Sequence, residues 1–192
     1  MELTEKQTRL LEFVKDMHQN HPTAPENAYR KYTNEEYWTH PLAVAEIVSE
    51  FEPAGIEMAL CHDLFEDTDA DFKMLYDELL RIGYDEVKAI KIGIGVNKLT
   101  NVYRTQHYPM LNRKSRKLKE AERLSTISPV AQSVKYSDII HNASSVSQKD
   151  KSIGKLYLNE AIHILDGMRN GNINLLIKCA STIQDGLEDL EN

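Results

Sequence analysis

One short stretch of the sequence, ALCHDLFEDTD at residues 59–69, combines an imidazole with several carboxylates. An apolar run ends in His62 and Asp63, and a second acidic pair, Glu66 and Asp67, follows about one helical turn later. Imidazole nitrogens and carboxylate oxygens bind divalent cations, and a carboxylate beside such a cation can orient a water molecule or accept its proton. The stretch therefore predicts metal-assisted hydrolysis, in which His62 and Asp63 bind the metal. Glu66 and Asp67 would orient the water or accept its proton.

A site of this kind needs further ligands from other parts of the chain. Neighbours on a helix point about 100° apart, so His62 and Asp63 can share an ion only if it lies off a helix end. His40 opens the segment HPLAVAEIV, and Asp138 lies inside the apolar segment QSVKYSDIIHNASSV, where a carboxylate needs a cation or hydrogen bonds. Two imidazoles and two carboxylates suit Mn²⁺, Fe²⁺ or another first-row divalent ion, and they leave room for a water that the metal acidifies into a nucleophile.

Each of these features also has an ordinary structural explanation. A His-Asp dipeptide occurs by chance in many proteins, and Glu66-Asp67 could be a helix C-terminus that leads into the next cap. His40 could be a surface histidine before a proline, and Asp138 could pair with Lys135 or a buried amide. The combination of the motifs, rather than any one of them, favours a chemical role.

The elements that must position these residues are predicted to be helices, because few windows alternate with the period of a strand. Thr4 to Gln7 forms a capping box, Pro41 fits the first turn of a second helix, and a helix from about 55 to 64 carries the acidic stretch. Asp69 or Asp71 can cap FKMLYDELLRIG, which Gly83 ends. Further helices are predicted at about 85–94, 109–124, 129–147 (after the Ser128-Pro129 cap), 154–169 and 173–190. The fold is therefore predicted to be all-α.

Composition and length predict one globular domain that spans residues 1–192. The chain is 41% hydrophobic and 28% charged, and it contains no linker rich in Pro, Gly or Ser and no internal repeat. No apolar segment approaches the roughly 20 residues of a membrane span, and the N-terminus lacks the apolar core of a secretion signal. Cys61 and Cys179 lie in apolar surroundings that suit reduced, buried thiols. These features predict a cytoplasmic protein and leave a homo-oligomer open.

The net charge of −7 argues against broad binding to nucleic acid, which needs a positive surface. The segment NRKSRKLKEAER is nevertheless strongly basic, and both a solvated helix face and a local anion site account for it. Its basic residues are Arg113, Lys114, Arg116, Lys117, Lys119 and Arg123.

Other residues that could carry chemistry are set aside. The Gly-x-Gly of KIGIGVNK lacks a third glycine and a preceding strand, so it does not predict a dinucleotide site. His18 and the other remaining histidines share no ligand spacing. Tyr37 and Trp38 are expected to be core or pocket wall.

The order His, then His-Asp, then Asp is similar to that of the HD metal-dependent phosphohydrolases. More specifically, the chain resembles the hydrolase domain of the Rel/SpoT alarmone enzymes of the stringent response, above all its small stand-alone form, the metazoan SpoT homologue. The segments RKYTNEEYWTHPLAVAEIV, ALCHDLFEDTD and SPVAQSVKYSDIIHNASSV carry the resemblance, which extends over about residues 28–172. It implies a single-domain, HD-type helical bundle.

The resemblance also implies roles for individual residues and a reaction. That reaction is the removal of the 3′-pyrophosphate of guanosine tetra- or pentaphosphate (ppGpp or pppGpp) by a metal-bound hydroxide, with Mn²⁺ as the preferred ion. The implied metal ligands are His40, His62, Asp63 and Asp138, and the implied catalytic acidic pair is Glu66 and Asp67. The implied substrate-binding residues are Arg30 and Lys31 on the phosphates, Asn142 and Ser145 on the nucleotide, and Tyr157 near the base.

The sequence departs from the family segments at several positions near the expected nucleotide pocket. Asn34 and Glu36 replace a glycine and a proline, although Asn can adopt the left-handed conformation that keeps the turn. Tyr32 and Asn97 also differ from the family pattern. Two alternatives therefore stay open: an HD phosphohydrolase that acts on a dNMP or on the 2′-phosphate of NADPH, and a non-catalytic module that binds alarmone or RNA through residues 113–123.

Overall fold

The chain folds into helices that form two compact units, Met1–Thr100 and Asn101–Asn192. The computed structural model describes residues 1–20, 28–30, 33–146 and 151–191, with the backbone alone at residue 146. Within these residues the regular elements are helical, apart from one isolated antiparallel bridge between Tyr29 and Glu36. The prediction of an all-α fold is confirmed, and the prediction of one domain over residues 1–192 stays a prediction.

The first unit is organised around a short, buried helix. All the residues of this helix, α3 (Ile56–Cys61), are buried, and it contacts the helices Glu5–Gln19, Thr39–Ser49 and Glu86–Leu99. Apolar side chains of the surrounding helices, such as Leu10, Val44, Leu79 and Val96, complete this core. The helices of the unit are α1 (Glu5–Gln19), α2 (Thr39–Ser49), α3 (Ile56–Cys61), α4 (Leu64–Asp67), α5 (Phe72–Ile82) and α6 (Glu86–Leu99), with a 3₁₀ turn at Pro53–Gly55.

Several helix ends follow the signals in the sequence. The Thr4 side chain accepts a hydrogen bond from the Gln7 backbone N–H, and the Gln7 side chain accepts one from the Thr4 backbone N–H, so the capping box forms. Asp71, rather than Asp69, caps α5 by accepting from the Met74 N–H at 2.8 Å. Gly83 ends α5 in the left-handed region with φ of 102°, where a side chain would be strained.

The helix predicted from about 55 to 64 is interrupted. Helix α3 ends at Cys61, and α4 begins at Leu64 after a break at His62 and Asp63. Asp63 has φ −98° and ψ −4°, a conformation outside the regular helix. The apolar spacing of Ile56 and Leu64 fits one continuous helix, so the sequence pattern gave no sign of the break.

Helix α6 continues to Leu99, beyond the predicted end near 94. The additional turn contains Gly95 and follows Gly93, and glycine is a poor helix former. In the structure a Cβ at Gly93 would lie 2.7 Å from the Phe72 ring, and one at Gly95 would overlap the Met58 side chain. The two glycines thus allow α6 to approach α5 and α3 closely, and this packing compensates for their low helix propensity.

A buried carboxylate lies within the core of the first unit. Glu57 is 4% exposed, and it accepts hydrogen bonds from Lys88 Nζ at 2.7 Å and from Gln7 Nε2 and the Tyr84 hydroxyl, each at 3.3 Å. Lys88 Nζ also lies 5.0 Å from the centre of the Tyr84 ring. The Glu57 charge is therefore compensated by a cation and two neutral donors, as a buried ion requires.

The second unit is organised around the long helix α8. Its N-terminus is capped by Ser128, whose Oγ accepts from the Ala131 N–H at 3.3 Å, as the Ser-Pro pair predicted. Helix α8 packs on α9 and α10, and α7 packs on α9. The helices of the unit are α7 (Arg113–Leu124), α8 (Pro129–Val146), α9 (Lys151–Gly167) and α10 (Ile173–Glu191).

Side chains of α8 fix the loop between α9 and α10. Gln132 Oε1 accepts from the backbone N–H groups of Asn170 (2.8 Å) and Gly171 (3.2 Å). The fully buried Tyr136 donates its hydroxyl proton to the Met168 carbonyl at 2.8 Å. Because these bonds satisfy buried backbone groups, the loop is held closely against the first half of α8.

Both cysteines lie in the surroundings that the sequence predicts. Cys61 and Cys179 are free and buried. Burial raises the pKa of both thiols, that of Cys179 to about 12, so both stay protonated and unreactive. Among the described helices, none combines the length and the apolar character that crossing a membrane requires.

The close approach at Gly171 predicts the effect of adding one methyl group. A Cβ at Gly171 would lie 2.5 Å from the Tyr136 ring and 3.0 Å from the Ser133 backbone nitrogen. We expect Gly171→Ala to lower the free energy of unfolding by about 1–3 kcal/mol, the usual cost of overpacking. Thermal unfolding followed by circular dichroism measures this, with a fall of about 2–4 °C for each kcal/mol.

The control for this substitution is Gly186→Ala in α10. A Cβ there meets only the flexible end of Leu158, at 3.1 Å, so its cost should be small. Equal melting temperatures for the two variants would contradict the packing described for Gly171.

Candidate metal centre

Three ligand-type side chains meet in the first unit. His40 lies in the first turn of α2, His62 follows the last residue of α3, and Asp63 precedes α4. Both histidines are buried, and the potential ligand atoms of the three residues all lie within 4.8 Å of one another. The break after α3 thus turns two sequence neighbours toward one point, and α2 supplies the third side chain.

The spacing of these atoms fits a divalent cation. The Oδ2 atom of Asp63 lies 3.4 Å from His40 Nε2 and 3.2 Å from His62 Nε2. Bonds of about 2.0–2.2 Å from a metal to nitrogen and oxygen ligands place neighbouring ligand atoms roughly 3 Å apart. Two imidazole nitrogens and one carboxylate oxygen can therefore hold a first-row divalent ion with little rearrangement.

The orientation of His62 prepares it for such a role. Its Nδ1 lies 2.8 Å from the Ala59 carbonyl oxygen, so Nδ1–H donates to that carbonyl and the lone pair is on Nε2. The His40 and His62 rings meet edge to face, with centroids 5.0 Å apart. A ring nitrogen fixed by a backbone hydrogen bond is the usual support of a metal-binding histidine.

The second acidic pair lies on α4, immediately after the break. Glu66 and Asp67 follow Asp63 by three and four residues, so one helical turn brings all three carboxylates to the same side of the chain. The N–H groups of Glu66 and Asp67 both bond to the Asp63 carbonyl, at 3.0 and 2.9 Å. Thr68 ends the turn by donating its hydroxyl proton to the Leu64 carbonyl at 2.6 Å.

Tyr37 connects the first acidic group to the second. Its hydroxyl oxygen lies 2.9 Å from Asp63 Oδ2 and 2.6 Å from Asp67 Oδ2. Burial, and then the two carboxylates, raise the pKa of the Tyr37 hydroxyl well above its usual value, so it stays a hydrogen-bond donor. The Tyr37 ring stacks on the buried His18 ring at 4.6 Å and meets His40 edge-on at 6.1 Å.

Asp138 lies in the second unit, on α8, and it is 5% exposed. Lys135 Nζ donates to its Oδ2 at 2.7 Å, and Asn142 Nδ2 donates to its Oδ1 at 2.6 Å. The pairing with Lys135 that the sequence left open is therefore present. Ser145 donates its hydroxyl proton to the Asn142 carbonyl at 3.1 Å, and Tyr157 lies partly buried on α9.

Arg30 lies in a turn that leads to α2. Its N–H donates to the Glu35 carbonyl at 2.8 Å, and its Nη1 lies 3.8 Å from Glu35 Oε2. Asn34 adopts the left-handed conformation expected of it, with φ of 58°. The substitution of the family glycine is thus compatible with the turn. Lys31, the other predicted phosphate-binding residue, lies outside the described residues, as does Tyr32.

The basic segment forms helix α7, and much of its charge is used inside the second unit. Arg113 donates to both oxygens of Glu160 at 2.7 and 3.0 Å, and Arg123 pairs with Glu120. A groove of about 330 Å³ between α7 and α9 is lined by Leu118, by Glu160 and by other residues of both helices. These ion pairs within the second unit offset part of the positive charge of α7.

The sequence does not identify Tyr37 and His18 as neighbours of the site. It predicts core or pocket wall for Tyr37, and the spacing of His18 matches no ligand pattern. The available signal for Tyr37 was its position three residues before His40, inside a segment that already carried the resemblance. His18 gave no comparable signal, because only the packing of α1 brings it to the Tyr37 ring.

The fold of this chain is similar to that of a known protein. No protein-family model and no curated protein matches the chain. Among solved structures, the chain is similar to one described as a metazoan orthologue of SpoT that hydrolyses ppGpp and plays a role in starvation responses. The two chains are 21% identical, the match covers 97% of this chain and 99% of the other, and the TM-score is 0.74. This likeness confirms the predicted fold class, an all-α helical bundle.

The arrangement of the three ligand-type residues predicts a metal-dependent gain in stability. Mn²⁺ at 100 times its dissociation constant should stabilise the protein by about 2.7 kcal/mol, seen as a higher melting temperature that a chelator reverses. In Asp63→Asn the carboxylate charge is lost, and we expect at least a roughly tenfold weaker affinity and a smaller shift.

The control is Asp69→Asn, which removes an exposed carboxylate nearby, outside the three-residue group. It should keep the full Mn²⁺ effect. An Asp63→Asn variant that is stabilised as strongly as the unaltered protein would rule out Asp63 as a ligand.

Proposed function

We propose that the protein is a metal-dependent hydrolase that removes the 3′-pyrophosphate from guanosine tetra- or pentaphosphate. The observation that carries this proposal is the group of His40, His62 and Asp63, whose ligand atoms lie within 4.8 Å of one another. The group occurs in a fold shared with a protein described as hydrolysing ppGpp. A mixed nitrogen and oxygen ligand set suits a first-row divalent ion. The resemblance to the alarmone hydrolases favours Mn²⁺ among these ions.

A divalent cation in this group would supply a Lewis acid that activates water at neutral pH and offsets negative charge on the phosphate. The residues of the chain would do the rest. Glu66 and Asp67 would orient the attacking water and accept its proton. The water oxygen forms a bond to the phosphorus on the ribose 3′-oxygen, the bond between that phosphorus and the 3′-oxygen breaks, and the 3′-oxygen takes up a proton. The products are pyrophosphate and GDP or GTP.

The resemblance also implies residues that would bind the substrate. Arg30 and Lys31 are proposed to bind the phosphates, because guanidinium and ammonium groups pair with phosphate oxygens. Asn142 and Ser145 are proposed to contact the nucleotide, and Tyr157 is proposed to lie near the base. These assignments rest on the matched sequence segments.

The direct test is a product analysis with purified protein and Mn²⁺. We expect guanosine 3′-pyrophosphate substrates to release intact pyrophosphate and GDP or GTP, and chelation of the metal to abolish the release. The same assay with a dNMP and with NADPH measures orthophosphate, which should stay at background. Orthophosphate from either of those substrates, with no pyrophosphate from ppGpp, would favour the alternative phosphohydrolase.

Glu66→Gln tests the catalytic role of the acidic pair separately from metal binding. The amide cannot accept a proton, so turnover should fall by about 10²–10⁴. Because Glu66 is outside the three-residue metal group, stabilisation by Mn²⁺ should remain. Full turnover in this variant would contradict the role given to the acidic pair.

Asp138 is proposed as the fourth metal ligand. Its support is a buried carboxylate in an otherwise apolar helix, at the position where the matched motif has an acidic ligand. The alternative is a purely local role as the partner of Lys135. The two roles predict different results when either partner is replaced.

Asp138→Asn and Lys135→Met separate these roles. If Asp138 binds the cation, Asp138→Asn should weaken Mn²⁺ binding at least about tenfold and remove turnover. Lys135→Met leaves the carboxylate in place and removes a competing cation, so Mn²⁺ binding should be kept or strengthened. Isothermal titration calorimetry measures both affinities. Unchanged Mn²⁺ affinity in Asp138→Asn would leave Asp138 with the local role alone.

A further inference from the structure

The Tyr37 hydroxyl occupies a position between two carboxylates with different proposed tasks. Asp63 Oδ2 lies 2.9 Å from the hydroxyl oxygen, and Asp67 Oδ2 lies 2.6 Å from it. Both distances lie in the range of O–H···O hydrogen bonds, and the shorter one, to Asp67, is typical of a charge-assisted bond. A phenol has one proton, so it can donate to only one of the two carboxylates at a time.

The Tyr37 side chain is held so that its hydroxyl has little freedom to leave this position. The Tyr37 backbone N–H bonds to the Ala28 carbonyl at 2.8 Å. The ring stacks on His18, from the last turn of α1, with an interplanar angle of 17°. The ring also meets His40 at an angle of 87°. The hydroxyl is therefore placed by the packing of three segments of the first unit.

Asp63 Oδ2, which lies near the Tyr37 hydroxyl, also lies near the two imidazoles. It is the oxygen nearest to both His40 Nε2 and His62 Nε2, at 3.4 and 3.2 Å. It is therefore also the oxygen that a cation between the imidazoles would take. An oxygen that donates electron density to a cation becomes a poorer hydrogen-bond acceptor, so the Tyr37 proton would then be drawn to Asp67.

We propose that Tyr37 is a positioning residue that couples metal binding to the acidic pair. With no cation, its hydroxyl is shared by Asp63 and Asp67; with a cation on Asp63 Oδ2, it donates to Asp67 and fixes the orientation of that carboxylate for the attacking water. This inference rests on the proposed metal site and hydrolysis. It adds a residue that contacts neither the reacting atoms nor the metal, and that acts through Asp63 and Asp67.

Tyr37→Phe tests the role, because it removes the hydroxyl and keeps the ring that stacks on His18. Residues that support metal ligands typically contribute 10–100-fold in affinity or activity. Because the hydroxyl competes with the cation for Asp63 Oδ2, we expect the Mn²⁺ dissociation constant, measured by isothermal titration calorimetry, to fall by up to about tenfold. At saturating Mn²⁺ we expect kcat to fall by a similar factor or more, with a much smaller change in KM.

Tyr84→Phe is the matched control. Tyr84 is another largely buried tyrosine of the first unit, and its hydroxyl bonds to the carboxylate of Glu57 at 3.3 Å. Both variants lose a hydroxyl that serves a carboxylate, so both should lower the melting temperature of the metal-free protein. Only Tyr37→Phe should change Mn²⁺ affinity and kcat. A merely structural role for Tyr37 would give the same results as Tyr84→Phe.

A double substitution tests the coupling itself. If Tyr37 acts on catalysis through Asp67, its effect on kcat should shrink to less than about threefold once Asp67→Asn is present. Fully additive effects of the two substitutions would overturn the proposed route.

The outcomes also separate this inference from the proposed function. Absence of Mn²⁺ binding and of turnover in the unaltered protein would overturn the proposed function and the inference with it. Normal binding and turnover in the unaltered protein, together with unchanged Mn²⁺ affinity and kcat in Tyr37→Phe, would overturn the inference alone.

Discussion

Asp63 and Asp67 bring two carboxylates to one hydroxyl oxygen, that of Tyr37, at 2.9 and 2.6 Å. Neighbouring negative charges in partly buried surroundings repel each other, and the repulsion has to be offset by a proton or a cation. The Tyr37 hydroxyl supplies one hydrogen-bond donor. The Nε2 atoms of His40 and His62 lie 3.4 and 3.2 Å from Asp63 Oδ2. Three helices of the first unit hold this group of charges in place. Helix α2 brings one imidazole, the end of α3 brings the other, and α1 supplies a ring against which the tyrosine packs.

The break between α3 and α4 is the local feature that makes this arrangement available. In a continuous helix the side chains of His62 and Asp63 would point about 100° apart. With ψ near 0° at Asp63, the helix stops, and the two side chains approach to 3.2 Å. The single turn of α4 then returns Asp67 to the same side of the chain as Asp63. The break costs little in packing, because Leu64 remains fully buried after it.

The sequence predicted those parts of the structure that are decided locally. The capping box at Thr4, the left-handed Gly83 and the Ser128 cap each depend on a few neighbouring residues, and each was found. The extension of α6 past Gly95 was missed, because it depends on close packing against Met58, which no local propensity encodes. The ligand-type residues of the first unit could be identified from residue type and order. The role of Tyr37 could not, because its contacts with Asp63 and Asp67 cross 26 and 30 residues of sequence.

The Lys135–Asp138–Asn142 group on α8 compensates a buried carboxylate with donors from the same helix. Both oxygens of the Asp138 carboxylate receive a donor from the same helix, three residues before it and four residues after it. The Lys135 ammonium is thus a counter-ion for Asp138 within the same helix. The charge of Asp138 is therefore compensated within the second unit. A cation that bound Asp138 Oδ2 would compete with the Lys135 ammonium for that oxygen, so its binding would be an exchange of one positive charge for another.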